Sequence, residues 1–306
     1  MQPTSTFPAT PAAGMALVVA ATACFAALDT TTKFVGATVS VVMVMWFRYT
    51  FQAVVTGSTM WPARGRALLR TRHPGLQAAR AVLLLLSSVL AFFSLQTMPL
   101  GEFTAIVMLT PLLITLLAGR ALGEKASWLN WATVSGAFVG ALMVIRPEGE
   151  GVEVVAMALP LALVGCNAAF QLITGKLARL EDARTSHFYT GLIGALIATL
   201  ALPLAWQPPR SWQGWALLVL MGVFGTVGHF LLMLGYRRAA AATLTPWLYF
   251  QIGFATLAGW IVFAHAPDAW ALTGIAVIAL CGLGGQWLDQ RRRQVRLAHL
   301  AGQQAD

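Results

Sequence analysis

The chain has 306 residues, of which 58% are hydrophobic and 10% are charged, and its mean hydropathy is +0.72. Average soluble domains carry about 25% charged residues, so this composition excludes an ordinary soluble protein. The net charge of +9 does not indicate nucleic-acid binding, because the basic residues lie between apolar segments rather than on one patch.

Ten apolar segments follow one another along the chain, and each is long enough to cross a hydrocarbon core of about 30 Å. The predicted spans are 14–35, 38–60, 75–97, 101–119, 127–145, 153–177, 184–206, 212–235, 240–263 and 269–288. The first residues carry no Lys or Arg, unlike a secretory signal peptide, so we expect the first span to remain a membrane helix. The sequence therefore predicts an all-α integral membrane protein of about ten transmembrane helices, surrounded by membrane lipid.

Basic residues concentrate in every second connection between the predicted spans. Fifteen of the twenty Lys and Arg residues share one predicted side: Arg64, Arg66, Arg70, Arg72, Arg120, Lys125, Lys176, Arg179, Arg184, Arg237, Arg238, Arg291, Arg292, Arg293 and Arg296. The opposite connections hold Arg146 and Arg210 together with several acidic residues. By the positive-inside rule, this pattern predicts a multi-pass protein of a plasma or bacterial inner membrane with both termini in the cytoplasm.

The two halves of the chain show internal similarity. A shift of 142 residues aligns Cys24, Ala26, Ala27 and Thr32 with Cys166, Ala168, Ala169 and Thr174. Because each half has an odd number of spans, the halves would be inverted relative to each other. We therefore predict two inverted five-helix repeats, 14–148 and 149–290, around a central cavity, with a cytoplasmic tail at 1–13 and a basic tail at 291–306.

Three stretches carry a recognisable pattern: LDTTTK at 28–33, WFRYTF at 46–51, and an apolar stretch at 98–147 that contains Gly123, Glu124, Gly136 and Gly140. Together they resemble the EamA-type carriers of the drug/metabolite transporter superfamily. This resemblance implies a ten-helix basket with a central cavity between the halves, peripheral fifth and tenth helices, and transport of metabolites, often outward.

Ionisable groups within a bilayer are costly, so each one inside a predicted span is a candidate functional residue. Asp29 and Lys33 lie four residues apart on one helical face and can form a structural ion pair or bind a charged substrate or proton. Arg48 lies near the middle of its span, where we expect it to face the interior and contact carbonyls, a carboxylate or an anionic substrate group. Arg80 lies near the predicted cytoplasmic end of its span, where we expect it to reach water.

Polar side chains in later spans are further candidates. Asn167 and Gln171 lie on one helical face of the sixth span and are predicted to line the cavity. In the ninth span, Trp247, Tyr249 and Gln251 could hold an apolar or aromatic part of a substrate, although interfacial anchoring is an alternative for the two aromatic residues. In the eighth span, His229 can titrate near neutral pH, so it is either a proton-coupling residue or a hydrogen-bonded packing residue.

Motifs of other functional classes are missing from the sequence. It has no Walker A pattern for a self-contained ATP-driven pump and no HExxH or GxSxG motif of an enzyme. We predict a secondary carrier without cofactor or metal that moves small organic metabolites by alternating access, with amino-acid-like or zwitterionic solutes favoured and export as one direction. The alternatives are an importer of a vitamin or nucleoside-derived metabolite such as riboflavin or S-adenosylmethionine and, outside transport, a membrane sensor or scaffold.

The predicted topology can be tested with reporter fusions. We expect green fluorescent protein fused to the C-terminus to fluoresce, and alkaline phosphatase inserted after Gln207 to be active, because phosphatase activity requires export from the cytoplasm. Phosphatase activity at the C-terminus, with none after Gln207, would show the opposite orientation.

Overall fold

The computed structural model describes residues 11–97, 103, 106–122, 127–145, 154–263, 268–281, 284–285 and 287–288. All regular structure in these ranges is helical. The basic tail predicted at 291–306, most of the tail predicted at 1–13 and the predicted boundary at 148 lie outside the described residues. The division into repeats at that boundary therefore stays a prediction.

Ten helices follow in chain order within the described residues. They are α1 (Pro11–Gly36), α2 (Val41–Arg64), α3 (Pro74–Thr97), α4 (Leu109–Leu122), α5 (Trp128–Ile145), α6 (Val154–Leu180), α7 (Ala183–Ala201), α8 (Trp212–Tyr236), α9 and α10 (Ala269–Cys281). Helix α9 is interrupted: a short helix (Ala241–Leu244) leads into a 3₁₀ turn (Thr245–Tyr249) and then a longer helix (Phe250–Phe263). Two further 3₁₀ segments, Gly65–Leu69 and Leu202–Leu204, follow α2 and α7.

Five helices in the described part are, by length and composition, able to cross a membrane. These are Pro11–Gly36, Pro74–Thr97, Ala158–Leu180, Ala183–Leu204 and Trp212–Tyr236. Helix α2 has 24 residues but carries buried Arg48, Gln52 and Thr56, which lower its hydropathy. Large apolar side chains such as Leu200 and Ile261 are exposed, as expected for side chains that face lipid. The all-α membrane architecture predicted from the sequence is confirmed.

The helix contacts repeat between the two halves. Helix α1 packs against α8 and α9, and α6 packs correspondingly against α3 and α4. Helix α2 packs against α7, while further contacts join α2 to α8 and α7 to α3. Exchanging α1 with α6, α2 with α7, α3 with α8 and α4 with α9 reproduces this set of contacts. Such an arrangement is that of the inverted repeats expected from the sequence.

Helices α2 and α7 approach each other closely through glycine. A Cβ atom added at Gly191 would lie 2.7 Å from the backbone nitrogen of Ala53, and one at Gly194 would collide with the ring of Tyr49. Small residues let membrane helices approach until their backbones touch, which maximises van der Waals contact. The α2–α7 contact therefore joins the halves at a distance that only glycine permits.

One end of the bundle is tied together by polar contacts. This end, which we call the α1-start end, holds the starts of α1, α3 and α7 and the ends of α2, α6 and α8. There, Glu181 Oε1 accepts hydrogen bonds from Thr71 Oγ1 (2.9 Å), Arg72 N (2.7 Å), His73 N (3.1 Å) and His73 Nδ1 (3.0 Å). Nearby, Arg64 and Asp182 form an ion pair of 2.8 Å between Nη2 and Oδ2. The α2–α3 connection is thereby joined to the α6–α7 connection.

These hydrogen bonds set the charge of Glu181. Partial burial by itself raises the pKa of Glu181, but the hydrogen bonds from His73, Arg72 and Thr71 lower it more, so the net pKa lies below the usual range. The carboxylate is therefore charged at neutral pH. Its contribution to stability is present above the unfolded-state pKa and is lost as the pH falls through the lower folded-state pKa.

The close α2–α7 contact predicts the effect of one methyl group. Gly191→Ala should destabilise the detergent-solubilised protein by about 1–3 kcal/mol, as overpacking typically does, because the backbone of Ala53 must move. Gly165→Ala in α6 is the matched control, since an added Cβ there meets nothing within 4 Å. Thermal unfolding followed by tryptophan fluorescence measures both, and equal midpoints for the two variants would contradict the close contact.

Candidate substrate cavity

A cavity lies in the middle of the bundle, between α1, α3, α4 and α6. Helices α2, α8 and α9 each contribute one or two residues to its lining. It has about 800 Å³ of space free of protein atoms, including space open to solvent. Its polar lining residues are Asp29, Arg48, Ser87, Ser88, Thr110, Asn167, Gln171, His229 and Gln251, and its aromatic ones are Phe25, Phe103 and Phe170. Six of the nine residues predicted as a site, Asp29, Arg48, Asn167, Gln171, His229 and Gln251, thus come together here.

Arg48 is held against this cavity by hydroxyl and imidazole acceptors. Its Nη1 donates to Ser88 Oγ (2.8 Å) and its Nη2 to His229 Nε2 (3.0 Å). Ser88 in turn donates to the carbonyl of Leu84 (2.7 Å), so both lone pairs of Oγ are left for Arg48 and for the Tyr49 hydroxyl (2.9 Å). The serine is therefore fully satisfied and fixes the guanidinium. Arg48 faces the interior as predicted, but its protein partners are a hydroxyl and an imidazole rather than the carbonyls or carboxylate expected for it.

The bond to Arg48 also fixes the protonation of His229. A guanidinium only donates, so His229 Nε2 must accept with its lone pair and the ring proton must lie on Nδ1. The imidazole is then neutral while Arg48 stays in place. Its Nδ1 has no partner among the described residues, and its ring lies between those of Phe25 (4.8 Å between centroids) and Phe170 (5.6 Å).

Asp29 lies on another side of the same cavity. Its Oδ2 accepts a hydrogen bond from Gln251 Nε2 (2.9 Å), which joins α1 to α9. Among the described residues the ion pairs are those of Glu181 and Asp182, and Asp29 forms none with Lys33 or Arg48. The ion pair considered for Asp29 and Lys33 is thus absent, because the carboxylate is engaged by an amide of another helix, and Lys33 is not part of the cavity lining.

The two α6 amides form a short chain of hydrogen bonds. Tyr236 OH donates to Gln171 Oε1 (2.8 Å), and Gln171 Nε2 donates to Asn167 Oδ1 (3.3 Å). Gln171 is therefore oriented by α8, and the amide nitrogen of Asn167 remains for a ligand in the cavity. This arrangement agrees with the predicted cavity-lining face of the sixth span.

The 3₁₀ turn of α9 separates its predicted residues. Gln251 and Leu248, three residues apart, line the cavity, whereas Trp247 and Tyr249 do not. Tyr249 is fully buried and donates to the carbonyl of Met108 (3.1 Å), and Trp247 is buried and stacks on Phe250. A 3₁₀ turn has three residues per turn instead of 3.6, so a face drawn for a continuous α-helix is shifted. The burial of both aromatic residues also excludes the interfacial anchoring considered for them.

Some cavity residues are not among the candidates named from the sequence. Phe170 lies three residues after Asn167, and this helical spacing was the signal that could have found it. Ser88 had no comparable signal, because serine is common in membrane helices. Arg80 was expected to reach water but is completely buried, since α6 and α7 cover its end of α3.

The cavity thus combines a cation and a carboxyl group that do not pair with each other. Arg48 supplies a guanidinium held by neutral acceptors, and Asp29 supplies a carboxyl group held by an amide. The amides of Asn167 and Gln251 and three phenylalanine rings line the same cavity. A site of this composition can hold a small molecule with a polar or charged edge and a flat or apolar body.

Comparisons with known proteins show similarity to membrane transporters. Residues 12–146 match the EamA-like transporter family. The chain is similar to a riboflavin transporter of Rhizobium johnstonii (29% identity; 75% of this chain and 76% of the relative) and to an S-adenosylmethionine uptake transporter of Rickettsia bellii (25%; 82% and 85%). It is also similar to the pseudopaline exporter CntI of Pseudomonas aeruginosa (26%; 88% and 94%). These relatives are transporters of small metabolites; one is named an uptake transporter and another an exporter.

A solved crystal structure shows the same fold. It superposes with a TM-score of 0.74 at 19% sequence identity and covers 92% of this chain and 98% of the other. The superposition therefore extends over both halves, beyond the residues matched by the family.

The hydrogen bonds of Ser88 predict a contrast with its neighbour. Ser88→Ala should lower the free energy of unfolding by about 1–3 kcal/mol, because Arg48 and Tyr49 lose a buried acceptor. Ser87→Ala is the matched control, since this equally buried hydroxyl has no partner among the described residues. Thermal or denaturant unfolding in detergent would measure both. A Ser87 variant that is as unstable as the Ser88 variant would contradict the role assigned to Ser88.

Proposed function

We propose that this chain is an EamA-type carrier, a multi-pass membrane transporter of small metabolites rather than an enzyme, and that its substrate is zwitterionic. The observation that carries the proposal is the presence of Arg48 and Asp29 on the lining of one cavity without an ion pair between them. The substrate's carboxylate binds Arg48, and its ammonium group binds Asp29.

Free hydrogen-bonding groups support this assignment. Nη1 and Nη2 of Arg48 each make one side-chain hydrogen bond, to Ser88 and to His229, so each keeps a second N–H for a carboxylate, whereas Nε is buried toward Gly225. The carboxylate of Asp29 has a single amide donor, which leaves lone pairs for an ammonium group. Both charges are held near a low-dielectric lining, where a paired ligand charge offsets part of their desolvation cost.

The remaining lining favours a substrate with an apolar or aromatic body. Phe25, Phe103 and Phe170 offer ring faces and edges, and Asn167 offers an amide donor beside them. An amino-acid-like metabolite with a ring fits this description.

A flat vitamin or nucleoside-derived metabolite is the second candidate. The phenylalanine rings and the similarity to riboflavin and S-adenosylmethionine transporters favour it. S-Adenosylmethionine carries both an amino-acid end and an adenine ring, so it satisfies both candidates. Riboflavin has no such pair of charges and therefore discriminates between them.

Transport by alternating access, with both termini in the cytoplasm, completes the proposal. The inverted halves permit two states that expose the cavity on opposite sides. The α1-start end, which carries the basic connections, is held together by Glu181 and by the Arg64–Asp182 ion pair. Any proton coupling is assigned to Asp29 rather than to His229, because a proton on His229 Nε2 would remove the acceptor of Arg48.

Flux into proteoliposomes tests the substrate class and the residue roles together. L-Phenylalanine, its methyl ester, 3-phenylpropionate, S-adenosylmethionine and riboflavin form a suitable panel. We expect gradient-driven flux of a compound with both charges and little flux of the analogue lacking either one. Asp29→Asn should raise the substrate concentration for half-maximal flux at least about tenfold, because a charge-assisted hydrogen bond is worth about 1.5–3 kcal/mol.

Lys33→Gln is the matched control on the same helix, one turn further along and outside the cavity lining. It should leave the half-saturation within about twofold. Riboflavin flux that is insensitive to Asp29→Asn, with no flux of the zwitterions, would replace the proposal by the second candidate.

A further inference from the structure

Arg80 is a completely buried arginine outside the cavity lining. Its Nε donates to Thr174 Oγ1 (2.8 Å), and its Nη1 donates to the carbonyl of Ser186 (3.1 Å) and to the hydroxyl of Thr190. Its Nη2 has no partner among the described residues, and none of their carboxylates pairs with it. The guanidinium is therefore held by neutral groups alone and retains a free donor.

Burial of such a cation is unfavourable unless a counter-charge or a function compensates for it. The two hydroxyls already donate to backbone carbonyls, Thr174 to Phe170 (2.7 Å) and Thr190 to Ser186 (2.9 Å), so both face Arg80 as acceptors. They orient the guanidinium without neutralising it. A neutral side chain could fill the same space between α3, α6 and α7 with less desolvation.

A single aromatic ring separates Arg80 from the cavity. The guanidinium carbon lies 4.9 Å from the centroid of the Phe170 ring, and Phe170 itself lines the cavity. Leu84 and Ser88, one and two turns further along α3, also line the cavity. Arg80 thus continues the cavity-lining face of α3 by one turn toward the α1-start end.

The repeat relates the surroundings of Arg80 to those of Arg48. Arg48 lies where α2 meets α8, and Arg80 lies where α7 meets α3, which is the equivalent contact in the other half. In carriers built from inverted repeats, the two halves exchange conformations between the two open states. The α2–α8 contact, which carries Arg48, borders the cavity in the present state. We therefore expect the equivalent α7–α3 contact, which carries Arg80, to border the cavity in the other state.

We propose that Arg80 is a second anion-binding position, which receives the substrate's carboxylate in the state open toward the α1-start end. In the present state Phe170 covers it. Displacement of this ring, together with separation of the contacts around Glu181, would expose the free Nη2 to the cavity. The carboxylate would then pass from Arg48 to Arg80 as the cavity changes sides. This inference rests on the proposed function for the presence of a carboxylate in the substrate.

Half-saturation measured from each side of oriented proteoliposomes tests the proposal. The probe is the carboxylate compound of the panel with the highest flux. With substrate on the α1-start side, Arg80→Gln should raise the half-saturation concentration at least about tenfold. With substrate on the opposite side, the half-saturation concentration should change by no more than about twofold. Arg80→Lys should restore most of the loss. Equal effects on both sides, or none, would overturn the proposal.

Gln77→Leu is the matched control for a purely structural role. Gln77 is also completely buried on α3 and donates to Ser186 Oγ (2.9 Å), but it carries no charge. This variant should lower the stability of the protein, but any change in the half-saturation concentration should be the same on both sides of the membrane. A side-dependent effect as large as that of Arg80→Gln would show that packing, not the charge, is responsible.

Thiol labelling provides a second measurement that does not need a substrate or the Arg80→Gln variant. With the native Cys24, Cys166 and Cys281 replaced by Ala, Thr174→Cys places a thiol beside Arg80. An anionic methanethiosulfonate added from the α1-start side should react at least about tenfold faster than a cationic one. Equal rates, a preference for the cationic reagent or no labelling would overturn the proposal. Loss of zwitterion flux with anion-selective labelling retained would instead refute the proposed function alone.

Discussion

A guanidinium buried in a membrane bundle must find acceptors, because it cannot give up its proton and cannot reach water. Arg48 meets this constraint through Ser88 on α3 and His229 on α8, and Arg80 meets it through α6 and α7. Five helices are therefore positioned by two side chains. Arg48 also requires a glycine at position 225 of α8, since a Cβ atom there would lie 2.9 Å from Arg48 Nε. The polar interior of the molecule is built around these two cations.

The inverted repeat relates the helix contacts around the two arginines, although the arginines themselves are not equivalent positions, since the shift of 142 residues pairs Arg48 with Thr190. Both arginines lie at the equivalent contact of the two halves, yet one borders the cavity and the other is covered by Phe170. An asymmetric state of a symmetric architecture is what alternating access requires. The contacts of Glu181 and the Arg64–Asp182 ion pair hold the covered side together in this state.

The cavity lining contains both neutral and ionisable groups. The neutral donors and acceptors of Asn167, Gln171 and Gln251 can serve many metabolites, whereas in the proposed function Asp29 and Arg48 select for charged groups. Specificity would then depend on which lining residues carry charge and on the size of the rings between them. The fold supplies the two-sided cavity, and the lining supplies the selection.

The sequence by itself determined the helices, because a bilayer leaves an apolar segment of sufficient length no other hydrogen-bonded structure than a helix or a closed barrel. It also indicated that Arg48 faces inward and that Asn167 and Gln171 share a face, since both follow from the cost of exposing polar groups to lipid and from helical spacing. Only the tertiary structure decided which polar residues meet. Asp29 binds Gln251 rather than Lys33, and of the three residues predicted on α9 only Gln251 lines the cavity, together with Leu248, while Trp247 and Tyr249 do not. The burial of Arg80 likewise depends on the neighbours that cover α3, because spacing along one helix fixes relative directions but not what lies opposite.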